Sequence, residues 1–415
     1  MVQYEQFTLE NGLRVVFHKD TTTPMAVVNT LFDVGARDES PERTGFAHLF
    51  EHLMFGGSVN IPNFDGPLQQ AGGQNNAFKS NDMTNYYDVL PVQNIETALW
   101  LERDRLLSLA FTDKSLEVQR SVVIEEFKQR YLNQPYGDLW LEFRPLAYKE
   151  HPYQWGTIGK NIKHIEEATM GEVQHFFKTH YHPGNAILCI AGNLTLEKVK
   201  SLVEKWYGEI PAQPKLERDL PKEPKQNEFR TKTIVRDVPS DLYSYAFKMP
   251  RKGDGNYYIV DLISDILGRG NSSRLYKRLK KELELVTEIN AYVMGSLDEG
   301  LLVVTAQPSD NVSFDKIDKA IWEVIEELKS TLIDEIELAK IINQVKTTKA
   351  FSEQGALNKS IALCMYKQMG DIDLINTEAD KYETVTTTQI QQQAKELLVS
   401  TNCSQLLIKA QQDDK

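Results

Sequence analysis

Residues 44–58 read TGFAHLFEHLMFGGS and contain the most informative motif in the chain, His48-x-x-Glu51-His52. Apolar residues recur at helical spacing up to residue 55, and two glycines then supply a helix stop. On such a helix His48 and His52 project from one face and are close enough to bind one metal ion. Glu51 lies beside them on that face, so the stretch predicts a helix with a metal-binding face.

A metal site for hydrolysis needs more than a histidine pair. Zinc in such a site takes three protein ligands and keeps one position open for water. It lowers the pKa of that water toward neutral, and a nearby carboxylate can accept the proton. Chance alone would produce H-x-x-E-H about 0.01 times in a chain of 415 residues with 8 histidines. We therefore favour a zinc site, with His48 and His52 as ligands and Glu51 as the base, over unrelated surface side chains.

The third ligand should be a His, Asp or Glu on a separate helix, and residues 117–130 (EVQRSVVIEEFKQR) supply two candidates. Glu125 and Glu126 are adjacent and point about 100° apart on a helix, so only one can face the metal. Val122 and Val123 mark the inward side, and Glu126 shares their face better than Glu125 does. The residues alone leave both a ligand role and a solvated helix charge open for Glu126.

Composition excludes several other functions. The chain carries 47 basic and 59 acidic residues, a net charge of −12, which argues against nucleic-acid partners and gives no attraction to anionic membranes. No stretch approaches the roughly 20 apolar residues of a membrane span. Residues 1–17 lack the pattern of a signal peptide, which predicts a cytoplasmic location, or a periplasmic one if a leader has been removed. Three scattered cysteines argue against a disulfide framework and a cysteine zinc site.

The chain divides into two halves of similar pattern. Residues 211–226 contain four prolines and almost no large apolar residues, which is typical of a linker. We predict a first half over residues 1–212 that contains the zinc site, a linker at 213–228 and a similar second half over 229–415. Strands and helices are mixed in both, and the strand-then-helix segment 186–206 resembles 301–328. This pattern predicts an α+β fold, with each half a mixed or antiparallel sheet backed by helices.

The surroundings of the motif resemble the pitrilysin-type (M16) zinc metallopeptidases, whose H-x-x-E-H inverts the usual order H-E-x-x-H. The likeness is strong over the first half and looser over the second. The matching stretches are NGLRVV at 11–16, VGARDE at 34–39, TGFAHLFEHLMFGGS at 44–58, GGQNNA at 72–77, DMTNYY at 82–87, YHPGNA at 181–186 and GNSSRLY at 270–276.

The resemblance implies one zinc ion per chain, a peptide substrate and a clamshell of which this chain is half. It implies that the distal zinc ligand is Glu126, which closes the stretch RSVVIEE at 120–126. It also implies that Asn76 and Ala77 lie on an edge strand beside the zinc. A substrate peptide would pair there through its backbone as an added strand, which gives affinity with little sequence demand.

The first departure from the family pattern lies close to the distal ligand. Members usually carry a second Glu seven residues before that ligand, and this chain has Gln119 there. An amide can support the site by a hydrogen bond but brings no charge, so ligand tuning would differ.

The second departure lies in the C-terminal half, where family members carry an Arg and a Tyr seven residues apart that reach the substrate. Lys280 and Thr287 occupy the corresponding positions, and neither side chain can replace its counterpart. We therefore expect a heterodimer whose second M16-like subunit supplies the Arg and Tyr. Arg274, Tyr276 or Tyr292 could substitute if the register differs.

These residues together predict a zinc-dependent endopeptidase that cleaves short or unfolded peptides inside an enclosed chamber. Two alternatives remain. One is a catalytically idle assembly subunit, and the other is a peptide-binding protein without turnover. The complete set of predicted ligands and the base Glu51 argues against an idle chain, which has no physical need for that geometry.

Overall fold

The structure, a computed structural model, describes residues 1–411, and the chain forms two compact units. Unit 1 comprises Met1–Gln129, Trp155–Leu220 and Ala350–Asn376. Unit 2 comprises Arg130–Gln154, Pro221–Lys349 and the chain from Thr377 onward. The chain passes from unit 1 to unit 2 after Leu220, and this point lies inside the predicted linker 213–228. A division into 1–212 and 229–415 places segment 130–154 in the first half and segment 350–376 in the second. In the structure, however, segment 130–154 belongs to unit 2 and segment 350–376 to unit 1. Local sequence pattern shows that a segment has an apolar face but not which unit covers it.

Eleven strands and fourteen α-helices are numbered along the described chain. The strands are β1 (Glu5–Thr8), β2 (Arg14–Lys19), β3 (Met25–Phe32), β4 (Gln74–Lys79), β5 (Thr84–Pro91), β6 (Ala186–Gly192), β7 (Arg230–Arg236), β8 (Leu242–Met249), β9 (Val286–Met294), β10 (Gly300–Pro308) and β11 (Cys403–Ala410). The helices are α1 (Phe46–Phe55), α2 (Asp65–Gln70), α3 (Ile95–Ser108), α4 (Asp113–Phe127), α5 (Leu139–Ala147), α6 (Lys163–Glu166), α7 (Met170–His180), α8 (Leu196–Tyr207), α9 (Gly255–Gly268), α10 (Phe314–Ser330), α11 (Glu335–Ser352), α12 (Ala356–Met369), α13 (Leu374–Glu383) and α14 (Thr387–Leu397).

Each unit contains one mixed sheet. The strand order is β1-β2-β6-β3-β5-β4 in unit 1 and β7-β11-β8-β10-β9 in unit 2. β2 and β6 are parallel, as are β7 and β11, and the other neighbouring strands are antiparallel. Five strands of unit 1, in the sheet order β2-β6-β3-β5-β4, therefore match the five strands of unit 2 in order and direction. This confirms the predicted α+β fold with two similar halves.

Segments 186–206 and 301–328 are both a strand followed by a helix, β6 with α8 and β10 with α10, but the two strands hold different places in their sheets. Segment 186–206 begins with β6, whose place in the sheet corresponds to that of β11, whereas β10 corresponds to β5. An amphipathic helix follows several strands in each unit. The local pattern therefore cannot fix which strands correspond.

The core of unit 1 lies on the face of its sheet that α1, α3, α7 and α8 cover, while α12 packs on the opposite face. β6 is buried along its whole length because it is a central strand covered on both faces. β4 lies at the edge of this sheet and pairs only with β5 in the described chain. Within unit 1, α1 packs against this edge strand.

Two predicted helices differ from the structure in their bounds. The pattern at 115–131 predicts one helix, but α4 ends at Phe127 and a π-helical turn continues from Lys128 to Leu132. The pattern at 165–181 also predicts one helix, and the structure has α6 and α7. Thr169 separates them because its side chain accepts the N–H of Glu172 and caps α7.

The predicted linker is held at several points. Residues 211–227 contain neither helix nor strand. In unit 1, Arg218 Nη1 lies 3.1 Å from Asp33 Oδ2. In unit 2, the Glu223 carboxylate accepts the backbone N–H groups of residues 149, 150 and 151 and contacts the Lys248 ammonium. The linker is therefore held to unit 1 by Arg218, before residue 220, and to unit 2 by Glu223, after residue 221.

Glu223→Gln should destabilise the protein at neutral pH and less in acid. Burial raises the pKa of Glu223, but Lys248 and the three backbone amides lower it more, so it lies below its usual value. The stabilisation is therefore present above the unfolded pKa of about 4.3 and is lost as the pH falls through the folded pKa. We expect a loss of about 2 kcal/mol in the free energy of unfolding by urea at neutral pH. The exposed Glu228→Gln is the control, and a loss that persists undiminished in acid would contradict this assignment.

No helix within residues 1–411 is both long and apolar enough to cross a membrane. The cytoplasmic location stays a prediction.

Candidate metal centre

Helix α1 is fixed at its N-terminus by a buried carboxylate. Gly45 precedes the helix with φ 92°, a left-handed conformation that glycine adopts without strain. Glu39 Oε2 accepts the N–H of Gly45 at 2.8 Å and Oε1 accepts that of Ala47 at 2.9 Å. Burial raises the pKa of Glu39 to about 8, although both amides favour its ionised form. The carboxylate thus satisfies two N–H groups at the start of the helix.

A buried arginine fixes the other end of α1. Arg105 Nη1 donates to the carbonyl oxygen of Met54 at 3.4 Å, and the guanidinium forms an ion pair with Glu102. Its Cζ lies 4.4 Å from the ring centroid of Phe64 and 4.6 Å from that of Tyr86. These contacts anchor the helix that carries His48 and His52 to α3, to β5 and to Phe64, the residue before α2.

Arg105→Met should cost about 3–5 kcal/mol of folding free energy, because it leaves the Glu102 carboxylate buried without its cation. The expected result is a lower urea midpoint with an unchanged slope. Arg103→Met, two residues earlier on the same helix and less buried, is the matched control and should change stability little. Equal losses of unfolding free energy in both variants would show that the buried ion pair between Arg105 and Glu102 does not stabilise the fold more than an ordinary contact.

The three predicted ligands lie together. His48 Nε2 and His52 Nε2 are 3.1 Å apart, and each is 3.3 Å from Glu126 Oε2. Among residues 1–411, these three side chains form the one His/Cys/Asp/Glu group of this kind that could hold a metal ion. Their role as zinc ligands stays a prediction, but the residues predicted from the sequence are the ones that converge.

The spacing of these atoms fits zinc. Bonds of about 2.0–2.2 Å in a tetrahedral arrangement place ligand atoms roughly 3.3–3.6 Å apart, and the observed 3.1–3.3 Å lies at or slightly below the short end of that range. Burial lowers the pKa of His48 and of His52, although Glu126 acts in the opposite sense. A lowered pKa favours the neutral ring, which is the form that binds a metal ion. The side chain of His48 is 2% exposed, and that of His52 is 26% exposed, so one side of the site is open.

The choice between the adjacent glutamates follows from burial. The Glu126 side chain is 19% exposed and faces the histidines, whereas that of Glu125 is 59% exposed and pairs with Lys128. Val123 is buried as expected. Val122, expected on the inward side, is 44% exposed because α4 turns that position toward solvent.

The predicted base Glu51 contacts a lysine. Lys79 Nζ donates to Glu51 Oε2, and both side chains are largely buried. Lys79 is the last residue of the edge strand β4, and α1 packs against β4. The sequence reading missed Lys79, since nothing in the spacing of residues 51 and 79 indicates a contact.

The predicted substrate strand is an edge strand. Asn76 is exposed on β4, Ala77 is half-buried, and they oppose Tyr87 and Tyr86 of β5. The N–H of Ala77 donates to the side-chain oxygen of Asn76 at 2.8 Å. Substrate binding by Asn76 and Ala77 stays a prediction.

Gln119 makes no hydrogen bond to either histidine ring in the part of the chain that the structure describes. It is half-buried on α4, seven residues before Glu126. His48 Nδ1 is buried there without a hydrogen-bond partner. The supporting role of Gln119 stays a prediction.

The residues at the predicted Arg and Tyr positions lie in unit 2. Lys280 is half-buried in a π-helical turn, Tyr276–Glu282, and Thr287 is exposed on β9. Of the possible substitutes, Arg274 forms an ion pair with Glu337, 2.8 Å between Nη2 and Oε2. Tyr292 is 37% exposed on β9.

Fold and site together define a two-unit α+β protein with a candidate zinc site in its first unit, and comparison with known proteins agrees. A family model described as Insulinase (Peptidase family M16) matches residues 14–142, which include all the predicted zinc-site residues. A second, described as Peptidase M16 inactive domain, matches residues 167–345. The chain belongs to peptidase family M16.

Individual relatives are similar over most of the chain. The zinc protease PqqE of Helicobacter pylori is 32% identical over 349 residues, 82% of this chain and 78% of that protein. A crystal structure of a protease from Helicobacter pylori matches with a TM-score of 0.92 and 28% identity, covering 99% of this chain and 100% of that one. A probable mitochondrial-processing peptidase subunit beta of Arabidopsis thaliana is 24% identical over 82% of this chain and 66% of its own length.

Proposed function

We propose that the chain is a zinc-dependent endopeptidase that hydrolyses short or unfolded peptides. His48, His52 and Glu126 hold the zinc ion, and Glu51 is the general base. The observation that carries the proposal is the convergence of two imidazole nitrogens and one carboxylate oxygen at 3.1–3.3 Å. Three ligand atoms at close to tetrahedral spacing, beside a second carboxylate that is not a ligand, are what metal-assisted hydrolysis requires.

The residues divide the work between binding and proton transfer. A zinc ion held by these three residues would lower the pKa of a bound water molecule and polarise the peptide carbonyl. Glu51 takes the proton from the attacking water and hands it to the leaving amine. The outer edge of β4 at Asn76 and Ala77 pairs with the backbone of the peptide, which aligns it with little demand on its sequence. The naming of relatives as zinc proteases supports this assignment.

Hydrolysis of internally quenched peptides tests the proposal. We expect cleavage that a chelator abolishes and that one equivalent of zinc restores. A folded protein of similar total charge should resist cleavage, because its backbone cannot add to an edge strand. Binding of peptide without cleavage would favour the peptide-binding alternative, and neither binding nor cleavage would favour an idle assembly subunit.

We further propose that full activity needs a second M16-like subunit. Thr287 cannot reach as a phenol does and Lys280 lacks a guanidinium group, so this chain lacks the Arg and Tyr that the family brings to the substrate. The name of the Arabidopsis relative marks that protein as one subunit. We expect at least a tenfold rise in kcat/KM, about 1.4 kcal/mol, when such a partner is added. Full activity of the isolated monomeric chain would contradict the need for a partner.

A further inference from the structure

The proposed function leaves one charged group beside the site unexplained. Lys79 Nζ contacts the carboxylate of Glu51, and only 14% of its side chain is exposed. A lysine is rarely buried to this extent unless it is paired. Its ammonium is therefore a fixed feature of the region next to the proposed base.

Lys79 also lies on the strand that would receive the peptide. Side chains alternate along β4, so Ala77 and Lys79 share one face and Phe78 lies on the other. Ala77 packs on the core that α1 covers, and Phe78 packs against the cluster on the opposite face. Lys79 thus points to the side of the sheet that carries the metal-binding helix.

We propose that Lys79 selects peptides with a carboxylate side chain near the scissile bond. The inference rests on the proposed function and specifies its substrate class. In an antiparallel strand added to β4, the residue opposite Lys79 has its Cβ about 4.5–5.5 Å from that of Lys79 on the same face. An acidic side chain there gains an ion pair, whereas a basic one meets a like charge.

The charges around the site support an acidic preference. The two carboxylates nearest the metal position, Glu51 and Glu126, balance the two charges of a zinc ion. Imidazoles that ligate a zinc ion carry no charge, so Lys79 adds positive charge on the side of β4. An ammonium has three N–H donors and can contact Glu51 and a substrate carboxylate at the same time. Glu51 therefore need not leave Lys79 for the peptide to bind.

Matched peptides test this preference. The peptides share one quenched host sequence. Each carries Asp, Asn or Lys at one of the two positions before or the two positions after the cleaved bond. At one position the wild-type protein, with its partner and zinc, should cleave the Asp peptide roughly tenfold faster in kcat/KM than the Lys peptide. In Lys79→Met this ratio should fall to near one, and in Lys79→Arg it should persist. A merely structural loss would slow all peptides alike and leave the ratio unchanged.

Controls separate this inference from the proposed function. Lys19→Met, on an exposed position of β2 in the same sheet, should keep the wild-type ratio, and zinc content is measured for each variant. Zinc-dependent cleavage without a charge preference, or a preference that survives in Lys79→Met, would overturn the role of Lys79 alone. Absence of all cleavage would overturn the proposed function and this inference with it.

Discussion

Glu51→Gln is expected to lower kcat/KM for a quenched peptide by about 10³-fold, because a positioned general base contributes about 10²–10⁴-fold and an amide cannot accept the proton. The variant should keep its zinc, since Glu51 Oε2 contacts Lys79 and is not among the three convergent ligand atoms. Glutamine keeps the shape of the side chain and can still accept a hydrogen bond from Lys79, so the fold should be kept at some cost in stability. Peptide hydrolysis and zinc content measured on the same sample check both statements.

The control for this substitution is Glu197→Gln, an exposed glutamate in the first turn of α8. It should retain wild-type activity. Loss of zinc from Glu51→Gln would mean that Glu51 is a ligand. Retention of activity would mean that another group takes the proton.

Glu126→Ala is expected to abolish both zinc retention and peptide hydrolysis. Removing an outer hydrogen-bond partner of a zinc ligand costs about 10–100-fold in affinity, so removing a ligand should cost more than about 10²-fold. The two histidines that remain are too few for a tight site. Zinc affinity measured by competition with a chelator gives the size of the loss.

The adjacent residue offers a matched control. Glu125 lies on the same helix, is also a glutamate and pairs with Lys128 in solvent. Glu125→Ala should therefore retain zinc and activity. A pair of variants with equal zinc affinity would refute the assignment of Glu126, whatever the size of the common loss.

The face of α1 that carries the candidate metal ligands could be predicted from sequence because its geometry is local. His48 and His52 are four residues apart, and helical spacing alone places both rings on one face. Glu126 needed more, since residues alone left it between a ligand and a solvated charge. The resemblance to the family selected it, and the structure brings it within 3.3 Å of both rings.

The groups that hold this face in place could not be predicted in the same way. Glu39, Arg105 and Lys79 lie on a loop, a helix and an edge strand, and their contacts with α1 depend on tertiary packing. A charged residue reads as solvent-exposed in a sequence unless its partner is known. The units in which segments 130–154 and 350–376 pack could not be predicted for the same reason, because an apolar face does not show which element will cover it.

Crystals grown with zinc and measured at the zinc absorption edge test the central claim most directly. The claim predicts one anomalous peak per chain, about 2.0–2.2 Å from His48 Nε2, His52 Nε2 and one carboxylate oxygen of Glu126. The peak should vanish in Glu126→Ala and persist in Glu125→Ala. A protein saturated with zinc but with no peak between these three side chains would contradict it.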